Sequence, residues 1–140
     1  TFDSTRGYPS TEKIYSLIDK LRAYIGSQQA LATDSPMLNI YSRDNKIFFI
    51  RVAFPTNKTL PSKGDIAFRK MLYGGNILTA LVKGAPNKAD SAIGTMENYL
   101  SDFELESPAI PFYSLVTNRL AERDSTKWIT KIYYPVMFYK

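Results

Sequence analysis

A chain of 140 residues, 44% hydrophobic and 22% charged, is long enough to bury a core without disulfide or metal staples. It contains no Cys and no His, which excludes zinc fingers, thiolate sites, Cys nucleophiles, His-based triads and haem held by His, and no cofactor is expected. The net charge of +5, from 18 Lys and Arg against 13 Asp and Glu, is scattered without a basic cluster of about five to eight residues. It reads as a solvated basic surface ahead of a nucleic-acid patch, and no run of about 18 apolar residues is present to span a membrane.

In chain order, Thr1–Arg6 reads as the remainder of a strand, and Arg6-Gly7-Tyr8-Pro9 leads into a helix. Ile14, Leu17, Ile18, Leu21, Tyr24 and Ile25 share one face of it, the spacing of an amphipathic helix with a buried stripe. Ser10 or Thr11 can cap it, with Glu12 in its first turn. Pro36 precedes the short apolar segment Met37–Tyr41, and Phe48–Phe54 forms a longer strand ending at Pro55. Thr56–Gly64, with Pro61 and Gly64, reads as a connection. Asp65–Tyr73 and Ile77–Lys83 are expected to form a hairpin about Gly74-Gly75-Asn76.

The pattern then recurs. Lys83-Gly84-Ala85-Pro86 answers Arg6-Gly7-Tyr8-Pro9 and opens a second helix, with Ala89, Ala92, Ile93, Met96, Tyr99, Leu100 and Phe103 on one face. Asn87 is its expected cap, with Asp90 three residues on. Pro111 precedes Phe112–Val116, and Trp128–Tyr134 runs to Pro135. Ile25 to Leu100 and Pro36 to Pro111 keep one offset of 75 residues, while Pro55 to Pro135 has an offset of 80. The predicted fold is therefore a single α+β domain over 1–140: two strand-helix-strand-strand repeats, about 1–55 and 65–140, joined by a linker at about 56–64, forming a curved antiparallel sheet with two helices packed on it. The short first strand suggests a chain trimmed from a longer protein.

With Gly84-Ala85-Pro86, Leu100 and Thr130-Lys131-Ile132-Tyr133-Tyr134-Pro135-Val136 in this order, the chain resembles the GyrI-like family, the effector-binding domain of bacterial transcription activators. The resemblance implies two repeats related by a pseudo-twofold axis, with a ligand cleft between them. It also implies a module that binds a small organic ligand and is, in regulators, joined to a DNA-binding region, while some members are hydrolases; here a non-enzymatic, cytoplasmic module is expected. Relatives commonly carry Glu in the last strand, where cationic ligands are met or catalysis is served. Here that place is Lys131, and its counterpart in the first repeat is Arg51. A Tyr usual on the preceding strand stands as Val116 in the second repeat and as Tyr41 in the first.

The reversed charge points to an anionic aromatic ligand, oriented by Arg51 and Lys131 and walled by Tyr41, Phe49, Tyr113 and Tyr133. Strand alternation puts Phe49, Arg51 and Ala53 on one side, and Ile129, Lys131 and Tyr133 on another; such a side is either a wet cleft or an exposed face covered by long stems. Trp128 falls on the side opposite Lys131 and is assigned to the core, and Tyr15 stands at the edge of the first helical stripe. Catalysis finds little support: Glu97, Asp102, Glu104, Glu106, Asp19 and Asp44 fall on polar helix faces or loops, and no metal site is expected. The rival functions are a protein-interaction module of the gyrase-inhibitory type and a hydrolase with a diverged site. Direct nucleic-acid binding is not expected, since two helices separated by a strand pair leave no helix-turn-helix.

Overall fold

The computed structural model describes residues 1–69, 76–107 and 110–138. The chain divides into two compact units, Thr1–Met71 and Leu72–Lys140.

The first unit runs β1 (Phe2–Arg6), α1 (Thr11–Ser27), β2 (Met37–Ser42) and β3 (Ile47–Ala53). Both β1 and β2 pair antiparallel with β3, which lies between them. Helix α1 starts where the sequence signals it: the Lys13 N–H donates to Ser10 Oγ at 3.1 Å, and Glu12 meets the positive end of the helix. Its stripe of Ile14, Leu17, Ile18, Leu21 and Ile25 is buried, and so is Tyr15, at 3% exposure, which removes Tyr15 from any binding surface. On the strands Leu38, Ile50 and Val52 are buried in the same core. The β2–β3 turn is built by Asp44, whose carboxylate accepts the N–H groups of Lys46 and Ile47 at 2.9 and 3.1 Å, while Asn45 takes the left-handed conformation (φ 59°). Those backbone bonds hold the Asp44 carboxyl below its ordinary range. Asp44 is thereby a turn-forming residue.

Two exposed ion pairs tie α1 to the rest of this unit. Lys13 Nζ lies 2.5 Å from Asp3, and Lys20 Nζ lies 2.7 Å from Asp65, which also accepts the Thr1 hydroxyl at 2.8 Å. The Lys20 ammonium beside it, with the Thr1 hydroxyl, brings the Asp65 carboxyl down to about 2, and Lys13 lowers Asp3. A carboxyl whose folded pKa is depressed contributes stability above its unfolded value and loses it as pH falls through the folded one. The urea midpoint should therefore hold down to about pH 4 and drop between there and pH 2. Asp65→Asn should shrink that drop while barely changing the midpoint at pH 7, because exposed pairs contribute little.

The second unit runs β4 (Asn76–Lys83), α2 (Pro86–Asp102), β5 (Leu105–Glu106), β6 (Phe112–Leu115) and β7 (Ile129–Phe138). All three other strands pair antiparallel with β7. The described residues thus hold two helices and seven strands, an α+β fold as the alternating patterns predict. Three expectations change. The cap of helix α2 lies two residues before Asn87: it is Ala85, no side chain caps the helix, and Pro86 supplies the first helical residue with its preset φ. The last strand does not stop at Pro135 but continues to Phe138. Pro135 is tolerated because β6 pairs with β7 only at Thr130–Tyr133 and β5 only at 137–138, so its missing N–H falls in the gap between them. Finally, Asp65 to Arg69 contain only the isolated bridge from Lys63 to Ile66. The remainder of the expected strand and Gly74-Gly75 lie outside the described residues.

The core of the second unit gathers Ala89 and Met96 of α2 around Ile132 of β7, which has no exposed surface. The stripe of α2 does not stay covered to its end, for Tyr99 and Phe103 are exposed and pack on each other at 4.5 Å. Trp128 is buried, as its side of the strand requires. Its indole N–H donates to the Glu122 carbonyl at 2.6 Å, and the buried Arg119 guanidinium lies 4.9 Å from its ring while donating to Thr130 Oγ1 at 2.9 Å. These contacts fasten the loop between β6 and β7 onto the start of β7.

Gly7 and Gly84, the two glycines of the recurring motif, both have positive φ (74° and 139°). Each donates its N–H at 2.8 Å to the carbonyl of the residue just before a paired strand, Lys46 before β3 and Trp128 before β7. A Cβ at Gly84 would also meet Lys88 Cδ at 2.6 Å. The lysine stem can move, but the backbone strain of an L residue there cannot be relieved. Gly84→Ala should cost roughly 1–3 kcal/mol. Gly94→Ala, within α2 and with open space around the new methyl, should instead add about 0.5–1 kcal/mol by helix propensity. Opposite signs in paired chemical denaturation curves check both.

Candidate functional site

In each unit one side of the strands is packed against a helix and the other is not. The phase of the strands decides which residues the helix-free side receives, because side chains alternate and directly paired residues share a face. In the first unit Phe48, Ile50 and Val52 go to the α1 side, and Phe49 and Arg51 go to the other. Register then adds their neighbours: Asn39 and Phe2 stand opposite Arg51, and Tyr41 and Ser4 stand opposite Phe49. Tyr41 stacks on Phe49 at 5.1 Å (23° between planes), Phe49 on Phe2 at 5.8 Å (14°), and the Arg51 guanidinium lies 5.8 Å from the Phe2 centroid. The result is a row of three rings, exposed at Phe2 and Tyr41 and half-buried at Phe49, ending in a guanidinium.

The second unit shows the same ingredients. Lys131 and Tyr133 of β7 point away from α2, with Ser114 and Leu81 opposite Lys131, and Phe112 and Thr79 opposite Tyr133. Phe112 stacks on Tyr133 at 5.0 Å (16°), and Lys131 Nζ lies 5.0 Å from the Tyr133 centroid. Leu81 beside Lys131 is 71% exposed.

The charges on these two faces are one-sided. The helix-free positions of β1, β2 and β3 include Arg6 and Arg51 and no carboxylate; Asp3 points to the α1 side and pairs with Lys13. Those of β4, β6 and β7 include Lys83 and Lys131 and no carboxylate. Glu106 shares the side through its pairing with Met137, but it lies six residues along β7 from Lys131, about 20 Å at the rise of a strand. The rings reinforce the sign. A cation is attracted to the face of an aromatic ring, whereas the ring edge carries partial positive charge. Both faces of Phe49 are covered by rings from the flanking strands, and Tyr133 already has a ring and an ammonium against it. Phe49 thus has no open face, and the charged heads beside the rings are cationic, a surface suited to negative charge.

Tyr41, Phe49 and Arg51 are therefore brought together in the first unit, and Lys131 and Tyr133 in the second. Tyr113 is not among them. Paired with Ile132, it faces α2, packs on the Ala89–Met96–Ile132 core and donates its hydroxyl to Asp90 at 2.8 Å. Sequence reasoning passed over Phe2, Asn39, Phe112 and Ser114. Alternation along Phe112-Tyr113-Ser114 shows that only one phase can take the helix-free side, but the phase itself is set by pairing with β7. Among the candidate acids, Asp19, Glu97, Asp102, Glu104 and Glu106 are exposed. Among the described residues no group of three or more Asp or Glu could hold a metal ion, and no helix is long and apolar enough to cross a membrane.

No family model matches the chain, and no curated protein matches it. Solved structures do. The chain is similar to the crystal structure of the EcmrR C-terminal domain, with a TM-score of 0.71 and 18% identity, covering 99% of this chain and 90% of that one. It is also similar to EcmrR in a cryo-EM structure of its DNA complex, with a TM-score of 0.63 and 18% identity, where the match covers 99% of this chain but 57% of the EcmrR chain. At this identity the likeness is one of fold: the chain has the fold of the C-terminal domain of EcmrR.

Proposed function

We propose that the chain is a regulatory ligand-binding domain, without enzymatic activity, whose effector is a small organic molecule that carries both an aromatic ring and a negative charge. The observation that carries this reading is the coincidence, in each unit, of a basic side chain and stacked rings on a strand face whose neighbouring positions hold no carboxylate. The likeness to the C-terminal domain of EcmrR supports a regulatory role, since EcmrR as a whole is seen bound to DNA. By that analogy a DNA-binding partner region belongs elsewhere in the regulator, and this domain answers to the ligand. The absence of His and Cys and the exposure of the candidate acids favour binding over turnover.

Thermal unfolding with matched panels tests the reading: aryl carboxylates and aryl sulfonates against aryl ammonium compounds of the same size. An anion at about 100 times its dissociation constant should add about 2.7 kcal/mol, a shift of several degrees in melting temperature. Stabilisation by the cations instead would reverse the assigned charge preference. A melting curve unmoved by either panel would favour a protein partner as the occupant of these faces.

A further inference from the structure

We infer that each unit binds an aryl anion by itself, so that the chain takes two ligands at two unequal sites; this rests on the reading of the helix-free faces as the ligand side. The two faces repeat one arrangement of roles. A basic residue stands directly opposite a small polar residue on the neighbouring strand, Arg51 with Asn39 and Lys131 with Ser114. Directly paired residues hold their Cβ atoms about 5 Å apart, with Ser114 buried and Asn39 half-buried beside the more exposed basic side chains. A stacked ring lies two residues along the same strand, Phe49 from Arg51 and Tyr133 from Lys131. Each unit therefore supplies a cation and stacked rings without drawing on the other.

The two sites differ in two respects. Phe49 precedes Arg51, whereas Tyr133 follows Lys131, so the ring lies on opposite sides of the base along the chain. The bases also differ in kind: Arg51 offers a planar fork that holds a carboxylate through two parallel bonds, while Lys131 offers a compact charge with no such preference. In both, the base and ring residues stand about 6–7 Å apart at their Cα atoms, and Lys131 Nζ comes to 5.0 Å from the Tyr133 centroid. That spacing matches a carboxylate held from a phenyl ring by a two-carbon arm, as in 3-phenylpropionate. The first unit should prefer carboxylates over sulfonates, and the second should accept both.

Backbone amide NMR titration of the whole chain with 3-phenylpropionate, with acetate and phenethylammonium as controls, tests the assignment. Two groups of amides are expected to shift, one on β1, β2 and β3 and one on β4, β6 and β7, with separate dissociation constants and little response to the controls. Arg51→Gln should weaken the first group at least tenfold and leave the second within about twofold, and Lys131→Gln should do the reverse. Both side chains lie off the cores, so an unchanged spectrum away from the mutated strand confirms that each variant is folded. One dissociation constant across both groups, lost together in either variant, would overturn the two-site inference but leave the effector reading standing. Equal shifts with acetate would reduce the faces to unspecific anion attraction and overturn it. Silence toward every aryl anion would remove the effector reading and this inference together.

Discussion

Ile132→Ala is expected to lower the unfolding free energy by about 2–5 kcal/mol. Ile132 has no exposed surface and sits where β7 meets α2, in contact with the cluster of Ala89 and Met96 and ringed by Leu78, Ala80, Val82, Ile93, Tyr113 and Tyr134. Removing three carbons there loses their transfer free energy and leaves a cavity between a strand and a helix, neither of which can collapse into it freely. Against a usual total of about 5–15 kcal/mol for a domain, the loss is large enough to bring the melting transition down by many degrees. Ile77, on the other phase of the adjacent strand β4, provides the contrast. Ile77→Ala removes the same atoms from a position 54% exposed, and it should cost well under half as much. The slope of the urea transition should stay constant in both, so that the midpoint alone reports stability. A loss below about 1 kcal/mol at Ile132, or equal losses at the two positions, would mean that the phase of these strands relative to α2 is not as described.

That phase marks the boundary of what the sequence makes legible. Helical stripes are local: Ile14, Leu17, Ile18, Leu21 and Ile25 point to one side whatever surrounds them, and they are buried. Capping is nearly as local, and Ser10 behaves as its type predicts. At α2 two local signals competed, the amide of Asn87 and the fixed φ of Pro86, and the proline set the start. Strand sides are different in kind. Arg51 and Phe49, and Lys131 and Tyr133, were recognisable as pairs because each lies on one strand at a spacing of two. The residues that complete each face, Phe2, Asn39, Phe112 and Ser114, come from other strands, and which of two adjacent residues takes the helix-free side depends on register. Tyr113, a wall residue by the sequence reading, lies on the opposite phase, and its hydroxyl meets Asp90 on α2. The two-residue strand β5 had no periodicity to reveal it.

Lys131→Glu is expected to reverse the charge preference of the second unit. Two effects act together. The substitution removes a cation from an aryl anion's acid group and puts a carboxylate in its place. At about 5 Å and an effective dielectric near 20, a unit pair is worth roughly 3 kcal/mol, and solvent at this half-buried position reduces it. At least tenfold weaker binding of aryl anions to this unit should remain after that reduction. The second effect concerns the ring. With Lys131 gone, no ammonium lies over Tyr133, and a ligand cation can take its place, with the new carboxylate beside it. Lys131→Gln vacates the ring without adding charge, so it should lose the anion but gain much less cation binding than Lys131→Glu. Phenethylammonium should thus stabilise Lys131→Glu against heat, leave the parent chain unmoved and give an intermediate result with Lys131→Gln. Arg51→Glu is the matching change in the first unit, but there Phe49 remains closed on both faces by Phe2 and Tyr41. Only the Phe2 ring loses its cation, so the gain in cation binding should be smaller than in the second unit. If Lys131→Glu loses aryl anions without gaining aryl cations, the ammonium over Tyr133 is not what closes that face to cations. If it loses neither, Lys131 lies outside the binding surface and the ligand side of the second unit must be sought elsewhere.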